Sequence, residues 1–318
     1  MALKEFDLIE RFFHRPNGGN SSVRLGIGDD CALLGFDDSL ELAVTTDTMV
    51  EGVHFFADVD PESLGYKALA VNLSDLAAMG AEPVCATLAL TMPGSDASWL
   101  SRFARGFFDL AQAWSVELIG GDTAQGPLTI TIQAMGTVPK GEALLRSTAR
   151  PTDRIYLTGR LGDAALGLKM ERNEVDGSDA AVLNRLHRPQ PRVEAGLKLR
   201  GVATACIDLS DGLAGDLGHI LQASRVGAVI DWNKLPLSAA VRQYIGESGD
   251  WELPLRGGDD YELCFTVPAS EAAAMEGRLA DLGYPCTCVG VIDRSDGLRV
   301  LKDSNRIQFA LQGYEHFS

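Results

Sequence analysis

The sequence predicts an α/β (α+β) protein built as two mixed α/β domains. Three observations lead there. The 318 residues exceed what one hydrophobic core of ordinary size organises. Strand-like runs alternate with stretches of helical periodicity along most of the chain. A turn-rich segment at 139–153 interrupts that alternation near the middle, which places a boundary near residue 150 and gives domains 1–150 and 151–318.

From the amino end, Leu3, Phe6, Leu8, Ile9, Phe12 and Phe13 fall at helical spacing, so a helix is expected over 2–13, ended by the Pro- and Gly-containing stretch 16–20. Strands are expected at 42–46, 84–90, 116–119 and 128–138, where β-branched and apolar residues run without breakers. Helices are expected between them, near 61–79 and 96–114. The second half continues with a strand at 154–158, a helix near 162–171, a polar break at 172–179 and a helix at 180–186. Strands at 203–207, 228–231, 261–267 and 286–292 complete it. No short-period repeat or low-complexity tract points to a solenoid.

Composition narrows the function. Forty-four acidic residues against 28 basic ones give a net charge of −16, which argues against a surface for nucleic acid or anionic lipid. No apolar run approaches the roughly 18 residues that span a bilayer, and the opening MALKEFDLIERFF lacks the apolar core of a signal peptide, so a cytoplasmic protein is expected. The six cysteines contain no CxxC pair, so neither a zinc ribbon nor a disulfide framework is indicated.

The informative residues are aspartates at strand ends. Gly26-Ile-Gly-Asp-Asp-Cys31 resembles the start of a dinucleotide fingerprint, but the third glycine is missing and Asp29 and Asp30 occupy the loop, where phosphate would be repelled without a cation. No GxxxxGK[ST] is present. Acids recur in Thr45-Thr46-Asp47, Gly120-Gly121-Asp122-Thr123, Asp208-Leu-Ser210-Asp211-Gly212 and Gly257-Gly258-Asp259-Asp260. Carboxylates flanked by hydroxyls are hard oxygen ligands suited to Mg²⁺, and glycine beside them lets backbone approach a ligand closely. Any one of these aspartates could instead cap a helix or close a turn; their recurrence favours metal binding. Asp75 lies on a largely apolar helix ending at Gly80, either as a metal ligand or as an exposed residue or partner of Lys67. An EF-hand starting at Asp208 fails, because His219 falls where the bidentate glutamate belongs.

Taken together with Asn72-Leu-Ser-Asp75-Leu-Ala-Ala-Met-Gly80 and Gly257-Gly-Asp-Asp-Tyr-Glu-Leu263, these motifs resemble those of the thiamine-monophosphate kinase family, in order, from about residue 4 to Phe317. The resemblance implies ATP-dependent phosphorylation of thiamine monophosphate, a fold shared with aminoimidazole ribonucleotide synthetase, selenophosphate synthetase and a hydrogenase maturation protein, and a homodimer that pairs N-terminal sheets. It implies an aspartate-lined cleft for ATP and several Mg²⁺ ions, leaving a monovalent cation open. Carried over, Asp30, Thr45, Thr46, Asp47, Asp75, Asp122, Asp208 and Asp211 are metal ligands, with Asp47, Asp75 and Asp122 central to catalysis. Gly121, Asp122, Arg146 and Ser210 hold ATP; His54, Asp259 and Tyr314 face the acceptor. The family usually carries glutamate where Asp259 stands.

Read without that resemblance, Arg146 suits bidentate phosphate binding or a surface ion pair, His54 suits core or surface, and Tyr314 suits packing. The related synthetase and maturation protein depend on a reactive cysteine, and none lies in the first 30 residues or after Cys288. A different class of reading is a non-catalytic divalent-metal or nucleotide sensor using the same acidic loops.

Overall fold

The computed structural model describes Asp7, Ile9–His14, Ser21–Leu25, Ile27 and Cys31–Ile307. The chain divides into two compact units, one of residues 1–76 with 81–141 and one of residues 77–80 with 142–318.

The first unit is built on a four-stranded sheet of β3 (Leu40–Val50), β4 (Glu82–Met92), β5 (Glu117–Gln125) and β6 (Thr129–Pro139), in the order β3-β6-β4-β5. The β3–β6 and β6–β4 pairs are antiparallel and β4–β5 is parallel. Alternation along β6 fixes its faces: Ile130, Ile132 and Ala134 are buried, while Gln133 is exposed. The opposite face is covered at one end, where Val23, Ala32, Leu34 and Phe36 of the short β1 (Val23–Leu25) and β2 (Leu33–Leu34) region pack on Val84, Cys85, Ile119 and Met135. Two α-helices among the described residues pack in this unit. Ala97–Ala113 is capped by Asp96, whose Oδ1 accepts from the N–H groups of Ser98 and Trp99 at 2.8 and 3.3 Å, and it buries Leu100, Phe103, Phe107 and Leu110. Pro61–Ala78 is apolar nearly all round and buried accordingly. The two helices cross at glycines: a Cβ on Gly106 would lie 1.7 Å from the Glu62 carbonyl oxygen, and one on Gly65 2.0 Å from that of Phe103.

The second unit carries seven strands, β7 (Arg154–Thr158), β8 (Ala205–Asp208), β9 (Gly227–Asp231), β10 (Leu263–Val267), β11 (Cys286–Asp293), β12 (Gly297–Lys302) and β13 (Asn305–Ile307). Their order is β13-β12-β9-β11-β7-β10-β8, antiparallel except for the parallel β12–β9 pair. The core around them includes Ile155, Leu157, Ile207, Leu217, Ile230 and Val289. Helices Asp163–Glu171, Ala180–His187, Val193–Leu199, Leu213–Ser224, Ala239–Ser248, Leu253–Arg256 and Ala272–Leu279 belong to this unit.

Several expectations are corrected. Within the expected 2–13 helix, Ile9–Phe13 is a π-helical turn, and residues 1–6 and 8 lie outside the described residues. Strands β3 and β5 do not stop before their aspartates: β3 runs through Asp47 to Val50, and β5 through Asp122 to Gln125. The β-branched Thr45, Thr46, Thr48 and Val50 suit extended backbone and pair residue for residue with β6. In β5, Gly121 lets the strand lie against β4, where a Cβ would sit 1.9 Å from the Leu88 carbonyl oxygen.

Candidate functional site

In the first unit the site begins with strand periodicity. Thr45 and Asp47 are two residues apart on β3 and share a face, aligned with the buried Ala134 and Ile132 of β6. The Pro61–Ala78 helix brings Asp75 to that face, and the Thr45 hydroxyl donates a hydrogen bond to Asp75 Oδ2. Burial, reinforced by the Asp75 charge, pushes the Asp47 carboxyl up to about 6. Two neighbouring carboxylates, one of them costly to ionise, beside a hydroxyl form a hard oxygen donor set that a divalent cation would relieve.

Thr46 and Thr48 alternate to the other face. The Thr46 hydroxyl accepts from Gln133 Nε2 at 3.3 Å, and Thr48 shares a hydrogen bond with Thr131 at 2.9 Å. Asp122 belongs to this second row, in register with Ala89, Thr131 and Thr48, and is exposed on the sheet's far edge. The structure thus joins Thr45, Asp47 and Asp75 and leaves Asp122 three strands away. Gly121 is in register with Leu88 and Ile132 in the row of Asp47. His54 sits in the turn after β3, where its Nδ1 accepts the Val50 N–H at 3.0 Å, so a neutral ring carries its proton on Nε2. Asp30 and Tyr314 lie outside the described residues. Among the described residues, no three His, Cys, Asp or Glu side chains converge as a metal cluster.

In the second unit, two acidic loops are stitched together by backbone. Asp208 is the buried last residue of β8, and Ser210 and Asp211 follow it into the Leu213–Ser224 helix. The N–H of Asp259 donates to the Ser210 carbonyl at 2.9 Å and that of Tyr261 to the Leu209 carbonyl at 2.8 Å, while the Leu209 N–H donates to the Glu262 carbonyl at 2.8 Å. Asp259 and Tyr261 hold left-handed backbone, φ 67° and 49°, which is uncommon for residues other than glycine. The Tyr261 hydroxyl donates to Asp259 Oδ1 at 3.0 Å. Arg146 is exposed on a segment that flanks β8, where the Cys206 N–H donates to the Leu145 carbonyl at 3.2 Å. Its carbonyl accepts from the Ser224 hydroxyl at 2.8 Å, and its charge reaches Asp216.

Two groups in this unit were given no role in the sequence reading. Asp216, nearly fully buried, accepts the Asp211 N–H at 3.0 Å, and burial followed by the Asp208 charge pushes its carboxyl up to about 8. Glu262, with no exposed surface, accepts from Arg192 Nε and Nη2 at 2.6 Å each, and from Arg185 Nη2 and the Thr158 hydroxyl at 2.7 Å each. The only signals in the sequence were an acid early in a helix and an acid opening an otherwise apolar strand, both of which more often face water.

The paired sheet-bearing units define the class: the chain belongs to the AIR synthase related proteins, with residues 28–138 matching that family's N-terminal domain and 150–303 its C-terminal domain. Within that class it is a member of the thiamine-monophosphate kinase family. The thiamine-monophosphate kinase of Escherichia coli (strain K12) is 48% identical over 323 residues, covering 100% of this chain and 99% of that protein. The crystal structure of the thiamine-monophosphate kinase of Stenotrophomonas maltophilia K279a superposes with a TM-score of 0.85 at 43% identity, over 94% of this chain and 97% of that one. A structure of AaThiL complexed with AMPPCP and TMP gives 0.77 at 31% identity, over 98% and 97% of the two chains.

Proposed function

We propose that this chain transfers the γ-phosphoryl group of ATP to thiamine monophosphate, forming thiamine diphosphate and ADP, as the last step of thiamine diphosphate biosynthesis in the cytoplasm. The observation that carries this reading is the 48% identity with a thiamine-monophosphate kinase along the whole chain. Among the described residues no helix is long and apolar enough to cross a membrane.

The Thr45–Asp47–Asp75 group fits Mg²⁺ by its chemistry, and Asp30, Thr46, Asp122, Asp208 and Asp211 are the further ligands in this reading. Bound ions would offset the repulsion between ATP and a phosphorylated acceptor. Gly121, Asp122, Arg146 and Ser210 hold ATP, with the Arg146 guanidinium gripping phosphate oxygens. His54, its ring oriented by the Val50 N–H at Nδ1, faces the acceptor in this reading. Asp259 and Tyr314 complete that side. The acceptor's phosphate monoester, with a second pKa of about 6, is already largely ionised at pH 7, so no general base is required and direct transfer suffices. Residues 1–150 serve as the ATP, Mg²⁺ and dimerisation domain, and 151–318 complete the site.

A homodimer follows from reach. Asp47 and Gly121 sit in one cross-strand row on β3 and β5, three inter-strand steps apart, or about 14 Å at the usual spacing. Oxygens sharing one Mg²⁺ lie within about 4 Å of each other. Leu42 and Val44 of the edge strand β3 are 46% and 51% exposed. In this reading two copies bring β3 of one beside β5 of the other, so that Asp122 of the partner subunit lies at the strand edge that carries Asp47.

The test is incubation with ATP, Mg²⁺ and thiamine monophosphate, followed by chromatography. Thiamine diphosphate is expected, and its formation should stop on chelation. A metal or nucleotide sensor would bind ATP and form none.

A further inference from the structure

We infer that Arg192 and Arg185, acting through the buried Glu262, are positioning residues that fix the backbone of Asp259 for acceptor recognition. This rests on the reading of Asp259 as an acceptor contact.

Asp259 cannot hold its place by local preference. It and Tyr261 are both left-handed, at φ 67° and 49°, on either side of Asp260. An isolated loop of this kind relaxes toward ordinary backbone unless the surrounding structure over-determines it. Three restraints do so here. The 208–212 loop is zipped to it through the Asp259, Tyr261 and Leu209 N–H groups, at 2.8–2.9 Å. The wholly buried Asp260 accepts the Gly162 N–H with both carboxyl oxygens at 3.0 Å, and its carbonyl accepts from Arg185 Nη2 at 3.2 Å. Immediately after Tyr261, Glu262 is clamped by the two guanidiniums and by Thr158.

The Arg192 guanidinium forms two parallel bonds to this carboxylate and lies 3.9 Å over the Tyr284 ring, so its orientation is itself fixed. Arg185 bonds the Glu262 side chain and the Asp260 carbonyl with the same Nη2, linking the clamp to the turn that carries Asp259.

The experiment compares Asp259→Asn, Arg192→Lys and the double variant in the full-length enzyme, measuring KM for thiamine monophosphate, KM for ATP, kcat and Tm. Arg192→Lys keeps the charge and loses the fork. Each single variant is expected to raise the acceptor KM about tenfold with the ATP KM within about twofold, and the double variant to be no worse than the weaker single one. Thr158→Val, read against Thr158→Ser, makes the same comparison through the neutral leg of the clamp if Arg192→Lys does not fold. Effects that multiply to about a hundredfold, or a loss of Tm with an unchanged acceptor KM, would overturn the inference. So would an unchanged acceptor KM in Asp259→Asn, though the kinase reading would stand as long as the wild type forms thiamine diphosphate.

Discussion

Asp47 carries a cost that its function would justify. Buried beside Asp75, its carboxyl is held up to about 6, against 3.8 for an unperturbed aspartate. The folded chain therefore holds this proton more tightly than the unfolded chain. Its contribution favours folding most at low pH, declines as pH rises from about 4 to about 6, and stays at the lower level above that. Allowing for partial exposure, the decline is about 2 kcal/mol. Asparagine mimics the protonated form. In chelator at pH 7.5, Asp47→Asn is expected to melt higher than wild type, with the difference about halved at pH 5 and gone below about pH 4; equal melting across that range would remove the repulsion. With Mg²⁺ present the same variant, like Asp75→Asn, should lose turnover by about a hundredfold or more, since the paired carboxylates act as a unit. Legibility at this scale follows from chemistry that shows in the residue type. Thr45, Asp47 and Asp75 stood out as hydroxyls and acids in apolar surroundings. Asp216 and Glu262 did not, because what distinguishes them is burial and partners remote in the chain: Arg192, Arg185 and Thr158 reach Glu262 from 70, 77 and 104 residues away, and the Arg146 charge reaches Asp216 from another segment.

Elements were legible where one periodicity ran long enough. The strands near 84–90 and 128–138 and the helices near 61–79 and 96–114 correspond to β4, β6, Pro61–Ala78 and Ala97–Ala113. Where they end was harder to read, because Asp47 and Asp122 look like loop residues while pairing across the sheet decides that they are strand. The β12–β13 hairpin was missed for a related reason: its two-residue turn is Asp303-Ser304, both left-handed at φ 51° and 66°, without the glycine that usually marks such turns. The crossing of the two N-terminal helices depends on glycines whose role only packing reveals. Alanine at Gly106 gains about 1 kcal/mol of helix propensity in isolation, but its Cβ would lie 1.7 Å from the Glu62 carbonyl oxygen, which is backbone and cannot swing aside. Gly106→Ala is expected to destabilise the protein by about 2 kcal/mol in denaturant titration. A neutral or stabilising result would mean the helices separate freely, and Asp75 would then lack a rigid mount.

At the scale of the whole molecule, the question is how many chains make one site. The register of the N-terminal sheet separates Asp122 from Asp47 by three strands, on opposite edges, so a single unit offers them no common ion. A twofold dimer that sets β3 beside the partner's β5 would resolve this, because Asp122 of the partner subunit would then lie at the edge of β3 that carries Asp47. The two arrangements differ in what mixed dimers can do. If Asp47 and Asp122 of one chain served one site, a dimer of Asp47→Asn with Asp122→Asn would have both sites broken. If the site is shared, that dimer has one site with both substitutions and one with neither. Co-expression with two affinity tags isolates the mixed species, and thiamine diphosphate formation is then measured against each parent. Half the wild-type activity per dimer is expected, and about a quarter for an unsorted mixture in which half the dimers are mixed. Activity no higher than that of the parent variants would place both aspartates in the same subunit's site, and the edges of β3 and β5 would then need another explanation for their exposed residues.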